Sequence, residues 1–377
     1  LGIPFEGEPG RLNAITDVPG VEVGYRTLVS GEGPLVVGRG PVRTGVTAIH
    51  PRGRAGAGIP VFAGVHSLNG AGEMTGFAWI EEAGRTELPI AVTNTHSAGL
   101  ARDALAKWMV ARHPGRMERW VLPVAAETYD GHLSDINGFH VRDEDVFAAL
   151  DGAAGGPVEE GSIGGGTGMI CYEFKGGSGT ASRRLRLGGG DFHLGAFVQA
   201  NFGRREQLAI AGLPVGRWLA EGVPGLPDHG SIIAVVATDL PLMPHQLKRL
   251  ARRAGMGIAR SGSIAAHGSG DIFLAFSTAN AGFFAAKDEM RTLEAWPDEG
   301  LNPAFAAVIQ CVDEAVLNAM VANEAMTGRD GHHVPALPRG PVGAEAQLVA
   351  AELPGVLVQH ELVVDGGVVA RQRRDVV

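Results

Sequence analysis

The residues best equipped for chemistry stand at 230 and 231, inside the stretch DHGSIIAVVATD that runs from Asp228 to Asp239. There a glycine and a serine separate a Pro/Gly-rich loop from an unbroken apolar run. If the Gly230–Ser231 bond is cut, Ser231 becomes a chain terminus carrying both a hydroxyl nucleophile and an α-amine of intrinsic pKa about 7.7–8.0. That amine can accept the hydroxyl proton near neutrality, so one residue holds nucleophile and base. Such a reaction asks for a small residue before the serine, so that Oγ can reach the preceding carbonyl, and Gly230 meets that need. The plainer alternative is a Gly-Ser turn entering a strand.

Other motifs point to less. The glycine-rich stretches GGGTGMICYEFKGGSG at 164 and GGGDF at 188 lack the Gly-Lys-Ser/Thr of a phosphate loop and the third glycine of a dinucleotide fingerprint. They read as tight turns packed close to another backbone. Neither a Gly-x-Ser-x-Gly elbow nor a His-Glu-x-x-His helix occurs. His332 and His333, in RDGHH, project in different directions as neighbours and read as a polar loop. Cys171 and Cys311 are the only cysteines, too few for a disulfide framework or a thiolate zinc site, and reduced thiols in the cytoplasm are the simplest reading. No metal or organic cofactor is implied.

The elements that must position such a serine are short apolar runs bounded by turn signals. GVTAIH at 45, PVFAGVH at 60, LPIAVTN at 88, VLPVAAE at 121, GAFVQAN at 195, SIIAVVAT at 231 and DIFLAFST at 271 predict strands. Several are apolar on both faces, which in a sheet means cover on both sides. Helical spacing is expected over 97–113 with Ser97 as cap, over 244–260 opening on Pro244, and over 302–326 with Asn302 as cap and Pro303 in the first turn. HELVVDGGVVARQ near the C-terminus predicts a hairpin turning at DGG. These elements fit one compact multilayer α/β domain over 1–377, with sheet packed on sheet.

Composition narrows the class. A 45% hydrophobic share over 377 residues supports a large core. A formal charge of −9 opposes polyanion attraction, so nucleic acid is not an expected partner. The basic run KRLARR at 248–253 reads as a solvated helix face. No apolar run approaches the roughly 18 residues of a membrane span. The first residues, LGIPFEGEPGRLN, lack the layout of a signal peptide, although a chain that starts without Met leaves a removed leader open.

The segment GSIIAVVATDLPLMPHQLKRLARR, from Gly230, resembles the β-subunit start of the P1 (S58, DmpA-type) peptidases, the self-processing L-aminopeptidase/D-esterases and β-peptidyl aminopeptidases. The resemblance continues through NAITDVPGVEVG at 13, PVFAGVHSLNGAGEMTGF at 60, PIAVTNTHSAG at 89, AETYDGHLSDINGFHV at 126, GGGTGMICYEFKGGSGTASR at 164, VQANFG at 198 and SGDIFLAFSTAN at 269. It implies an α/β fold of four αββα layers, self-cleavage into an α chain of 1–230 and a β chain of 231–377, and a homotetramer of αβ units. By the same resemblance Ser231 is the processed nucleophile, supported by Ser269 and Asp271. Asn201 and Tyr129 are implied as donors to the oxyanion. Glu127 is implied to bind a substrate ammonium, and on a strand it would share a face with Tyr129 two residues on. The implied activity is release of N-terminal small L-, D- or β-amino acids from short peptides, amides or esters, with neither nucleic acid nor membrane as partner. Two other readings stay open: a glutamate/ornithine N-acetyltransferase of related fold, whose nucleophile is threonine, and an uncleaved noncatalytic ligand-binding protein.

Overall fold

The computed structural model describes residues 2–116, 120–219, 222–225, 230–285 and 288–340, and the backbone of 362–364 and 367–369. The chain divides into two compact units, one of Gly7–Leu337 and one of Leu1–Glu6 with Pro338–Val377. In the smaller unit Leu362–Val364 pairs antiparallel with Gly367–Val369, as the hairpin signal predicts; residues 365–366 of the turn lie outside the described residues.

The larger unit begins with β1 (Glu22–Ser30), β2 (Val42–His50), β3 (Val61–Ser67), α1 (Phe77–Ala83), β4 (Arg85–Thr86) and β5 (Ile90–Asn94). It continues through α2 (Ala98–Arg112), β6 (Val124–Thr128), α3 (Asp143–Asp151), the short strands β7 (Ile170–Cys171) and β8 (Phe174–Lys175), and the long β9 (Gly177–Leu187) and β10 (Gly190–Asn201). One turn of α4 (Val215–Trp218), β11 (Ser231–Thr238), α5 (Pro244–Arg260), β12 (Ile272–Ser277) and α6 (Asn302–Val321) follow. All seven runs read as strands are strands. The three expected helices are also present, with α6 ending five residues before the predicted 326.

Two sheets stack face to face. One has the order β1-β2-β5-β6 and the other β4-β3-β12-β11-β10-β9. Side chains from both inner faces, among them Ile49, Val92, Ala126, Phe197, Val235 and Leu274, form the central core. The helices α2 and α3 cover the outside of the first sheet, where Trp108, Leu105 and Leu150 are buried against Val46 and Ala125. The helices α5 and α6 cover the second, so the order of layers is αββα. Each residue of β2, β5, β6, β11 and β12 is buried, the consequence of cover on both faces.

Three local readings are adjusted. Leu301, not Asn302, occupies the cap of α6, and Asn302 is its first helical residue. Ser97 stands at the cap of α2 without using its hydroxyl; its own N–H instead donates to Asn94 Oδ1 at 2.9 Å. The 20-residue α6 is long and apolar enough by composition to cross a membrane, a feature the run-length reading did not register. Here its apolar side, including Val308, Val312 and Val316, is buried. The glycines at 164–166 form the expected tight turn, and a Cβ on Gly165 would stand 2.5 Å from the carbonyl of Val92.

Candidate active site

Strand pairing gathers the sequence-predicted residues at one end of the two sheets. The strands β11 and β12 are parallel, with Ile233 beside Ile272, so their entry residues lie side by side. That register brings Asp271, just before β12, to the start of β11, where Ile232 N–H donates to Asp271 Oδ1 at 3.2 Å. Ser269 donates to the same oxygen at 2.6 Å. Between them Gly270 donates its N–H to Ser231 Oγ at 3.0 Å, so the turn Ser269–Gly270–Asp271 meets the serine through its central amide. Ser231, Ser269 and Asp271 are all buried, and burial raises the Asp271 carboxyl above its ordinary range against the pull of donors from Ser269, Asn69 and Ile232.

The strand β10 runs antiparallel to β11 on its other side and sets Asn201 opposite Ser231. Directly opposed residues point to the same face with Cβ atoms about 4.5–5.5 Å apart. Asn201 is oriented by two unlike partners: its Oδ1 accepts from Ile170 N–H at 2.8 Å, and its Nδ2 donates to the Tyr129 carbonyl at 3.0 Å. A donor on one side and an acceptor on the other exclude the flipped amide, and one Nδ2 proton is left for a further acceptor. Gly230 packs against the same strand end; a Cβ there would collide with the Asn201 carbonyl and come within 2.6 Å of Phe202 Cα. The packing adds a second demand for glycine to the chemical one.

Glu127 and Tyr129 come from the other sheet. The strand β6 stops at Thr128, so the shared-face expectation does not extend to Tyr129: Glu127 is 3% exposed and Tyr129 45%. The Tyr129 ring and hydroxyl lie against Gly131, and the residue touches Asn201 through its backbone. Glu127 Oε1 accepts from Glu73 N–H at 2.9 Å and its Oε2 from the Thr95 hydroxyl. One donor per oxygen leaves acceptor capacity on both, and burial raises the carboxyl from its ordinary range. A buried amide beneath the site ties the sheets together, as Gln199 Nε2 donates to the Thr93 carbonyl at 2.9 Å and to Thr128 Oγ1 at 2.8 Å.

Four contributions come from residues that the sequence does not single out, although all four lie inside segments that carry the family resemblance. Asn69 pairs twice with Asp271, donating from Nδ2 to Oδ2 at 3.1 Å and accepting the Asp271 N–H at Oδ1. Thr95 and the amide of Gly270 hold Glu127 and Ser231 through the contacts above. Asp130, fully buried beside Tyr129, accepts from Asn94 Nδ2 at 3.0 Å, while its Oδ1 has no hydrogen-bond partner among the described residues. In LNGAGE and TYDG, Asn69 and Asp130 read as turn chemistry, and only proximity in space distinguishes them.

Asp130 makes stability depend on pH in a defined direction. Burial, with a smaller push from Glu127, raises its carboxyl from 3.8 to about 7, against donors from Thr44 and Asn94. Between those values the folded state keeps a proton that the unfolded chain has released, so this contribution is complete below about pH 4 and is lost as pH rises through about 7. Asp130→Asn is expected to remove a decline on the order of 4 kcal/mol over that window. Denaturant unfolding at pH 4, 5.5 and 7 measures it, and parallel slopes for variant and wild type would count against a buried protonated Asp130.

The arrangement is a serine hydroxyl with a fixed amide donor, an adjacent Ser269–Asp271 hydrogen bond, an oriented amide N–H opposite, and a buried carboxylate entering from the other sheet. Residues 13–334 match the model of peptidase family S58. The chain is 49% identical to the β-peptidyl aminopeptidase BapA of Sphingosinicella microcystinivorans over 91% of this chain and 90% of that one. Its structure is similar to that of the L-aminopeptidase D-Ala-esterase/amidase of Ochrobactrum anthropi, described as a prototype serine aminopeptidase and a variant of the Ntn-hydrolase fold. The TM-score is 0.87 and the identity 49%, over 93% of this chain and 97% of that one. A Burkholderia sp. β-aminopeptidase matches with a TM-score of 0.82 and 45% identity, over 94% and 98% of the two chains. With family, relatives and fold in agreement, the chain belongs to peptidase family S58 and is a hydrolase of the aminopeptidase class.

Proposed function

We propose that this aminopeptidase works through Ser231 as an N-terminal nucleophile, created when its own Oγ attacks the Gly230 carbonyl. The Gly230–Ser231 C–N bond breaks, an ester of Gly230 forms on Oγ, and water hydrolyses it to leave a free Ser231 amine. The observation that carries this reading is the β10–β11 register, which sets Asn201 directly opposite Ser231.

In turnover the Ser231 amine takes the hydroxyl proton as Oγ attacks the first amide or ester carbonyl of a short substrate. The remaining Nδ2 proton of Asn201 and the Tyr129 hydroxyl receive the oxyanion. The protonated amine then gives its proton to the leaving amine, and water releases the acyl group from Oγ. Asp271, bonded to Ser269 and to Ile232 N–H, holds the first residues of the new chain in place. The Glu127 carboxylate binds the substrate ammonium, which limits hydrolysis to the N-terminal residue. Assembly of αβ units into a tetramer belongs to the same reading, and light scattering of the purified protein tests it.

Alanyl p-nitroanilides with a free amine are expected to be cleaved and their N-acetyl forms not. Glu127→Gln keeps the shape and removes the charge, so KM should rise about 10- to 100-fold, the worth of one charge-assisted hydrogen bond. Cleavage of acetylated substrate, or an unchanged KM in Glu127→Gln, would remove the ammonium site from this scheme.

A further inference from the structure

A single loop joins the two ends of the site. Leaving β3, Leu68 N–H donates to the Asp271 carbonyl at 2.9 Å, Asn69 pairs twice with Asp271, and Ala71 N–H donates to the Ser269 carbonyl at 3.2 Å. At Gly72 backbone meets backbone. A Cβ on Gly72 would stand 2.9 Å from Gly270 Cα, and one on Gly270 would stand 2.5 Å from Gly72 Cα. Gly270 is the residue whose amide holds Ser231 Oγ. The very next residue, Glu73, gives its N–H to Glu127 Oε1, and Met74 bridges to Ala126 of β6. Two successive residues, with Cα atoms about 3.8 Å apart, thus brace the nucleophile on one side and the buried carboxylate on the other.

We propose that the loop 69–73 is a spacer: it sets the separation between Ser231 Oγ and the Glu127 carboxylate, and so selects how many carbons lie between the substrate amine and the scissile carbonyl. The inference rests on the assignment of Ser231 as nucleophile and Glu127 as ammonium site. An α-aminoacyl group has one carbon in that interval and a β-aminoacyl group two, a difference of one C–C bond of about 1.5 Å. A misplacement of about 1 Å at a reacting centre costs on the order of 10²-fold. Glycine against glycine at the closest approach, with hydrogen bonds on either side, leaves no side chain between Gly72 and Gly270 to repack and little room to slide.

L-alanyl and β-alanyl p-nitroanilide test this directly, since they contain the same atoms and the same leaving group and differ in the amine-to-carbonyl interval. The readout is the ratio of their kcat/KM values. Wild type should prefer one isomer by at least about tenfold. Gly72→Ala, whose methyl group pushes the loop off Gly270 and lengthens the interval, should move the ratio toward β-alanyl by a similar factor. Asn69→Ala, which removes both side-chain bonds from the loop to Asp271, should narrow the wild-type preference at least as much, and it decides the matter if Gly72→Ala does not fold. Appearance of the 231–377 fragment on denaturing mass spectrometry identifies folded variants. The spacer is refuted by a wild type without preference, by equal losses on both isomers in a folded variant, or by a Gly72→Ala shift toward L-alanyl. Failure of the underlying assignment looks different: wild type then cleaves neither isomer, or Ser231→Ala still cleaves one.

Discussion

Ser231→Ala should leave one intact chain of 377 residues and lower amide hydrolysis by at least about 10⁴-fold, whereas wild type yields fragments of 1–230 and 231–377. Both effects have one cause. In the proposed scheme the hydroxyl that attacks Gly230 during maturation is the one that attacks substrate afterwards, and the amine that activates it does not exist until the first reaction is complete. The substitution also leaves the Gly270 N–H without its acceptor, at a cost of about 1–3 kcal/mol, which a core of this size can absorb. Thermal unfolding therefore separates loss of chemistry from loss of fold. Denaturing mass spectrometry is the deciding measurement, since a processed Ser231→Ala chain, or wild-type cleavage at another bond, would remove Ser231 from the mechanism.

The second large effect is expected at Asn201. Asn201→Ala deletes the N–H placed opposite Ser231 and should reduce kcat by about 10²–10³-fold with a smaller change in KM, the pattern of a donor used mainly in the transition state. Asn201→Asp should be at least as damaging. Its carboxylate can still accept from Ile170 N–H, but it turns a negative oxygen toward the Tyr129 carbonyl and toward the developing oxyanion. Activity within threefold of wild type in Asn201→Ala would reduce the residue to a bracket between Ile170 and Tyr129. Thermal unfolding of both variants separates the two roles, because a purely structural bracket between Ile170 and Tyr129 loses stability where an oxyanion donor loses kcat.

Much of the architecture is legible along the chain because the strands are short, apolar and separated by turn residues. SIIAVVAT and DIFLAFST are apolar at nearly every position, and burial on both faces of a sheet allows little else. The helix caps were less legible. Asn94, three residues before Ser97, captures the N–H at the start of α2, a choice made by how β5 ends. The boundary at Tyr129 is another case: alternation predicts a common face with Glu127, but the strand has already ended and the next turn directs the ring onto Gly131.

For the site, the residue types of Gly230 and Ser231 and their position before an apolar run pointed to a candidate chemistry, which the resemblance of the surrounding segments to the S58 peptidases singled out over a plain turn entering a strand. The sequence by itself also predicted sheet packed on sheet, through strands apolar on both faces, and the family resemblance implied the αββα order of layers. What only the tertiary structure decided is who meets whom. The parallel register of β11 and β12 brings Asp271 to Ile232 N–H, and the antiparallel register of β10 and β11 sets Asn201 against Ser231. Asn69 crosses 202 positions of sequence to hold Asp271, and Glu73 reaches Glu127 in the other sheet. Such contacts depend on which strand ends share an edge, a property of sheet order that no local stretch of residues encodes.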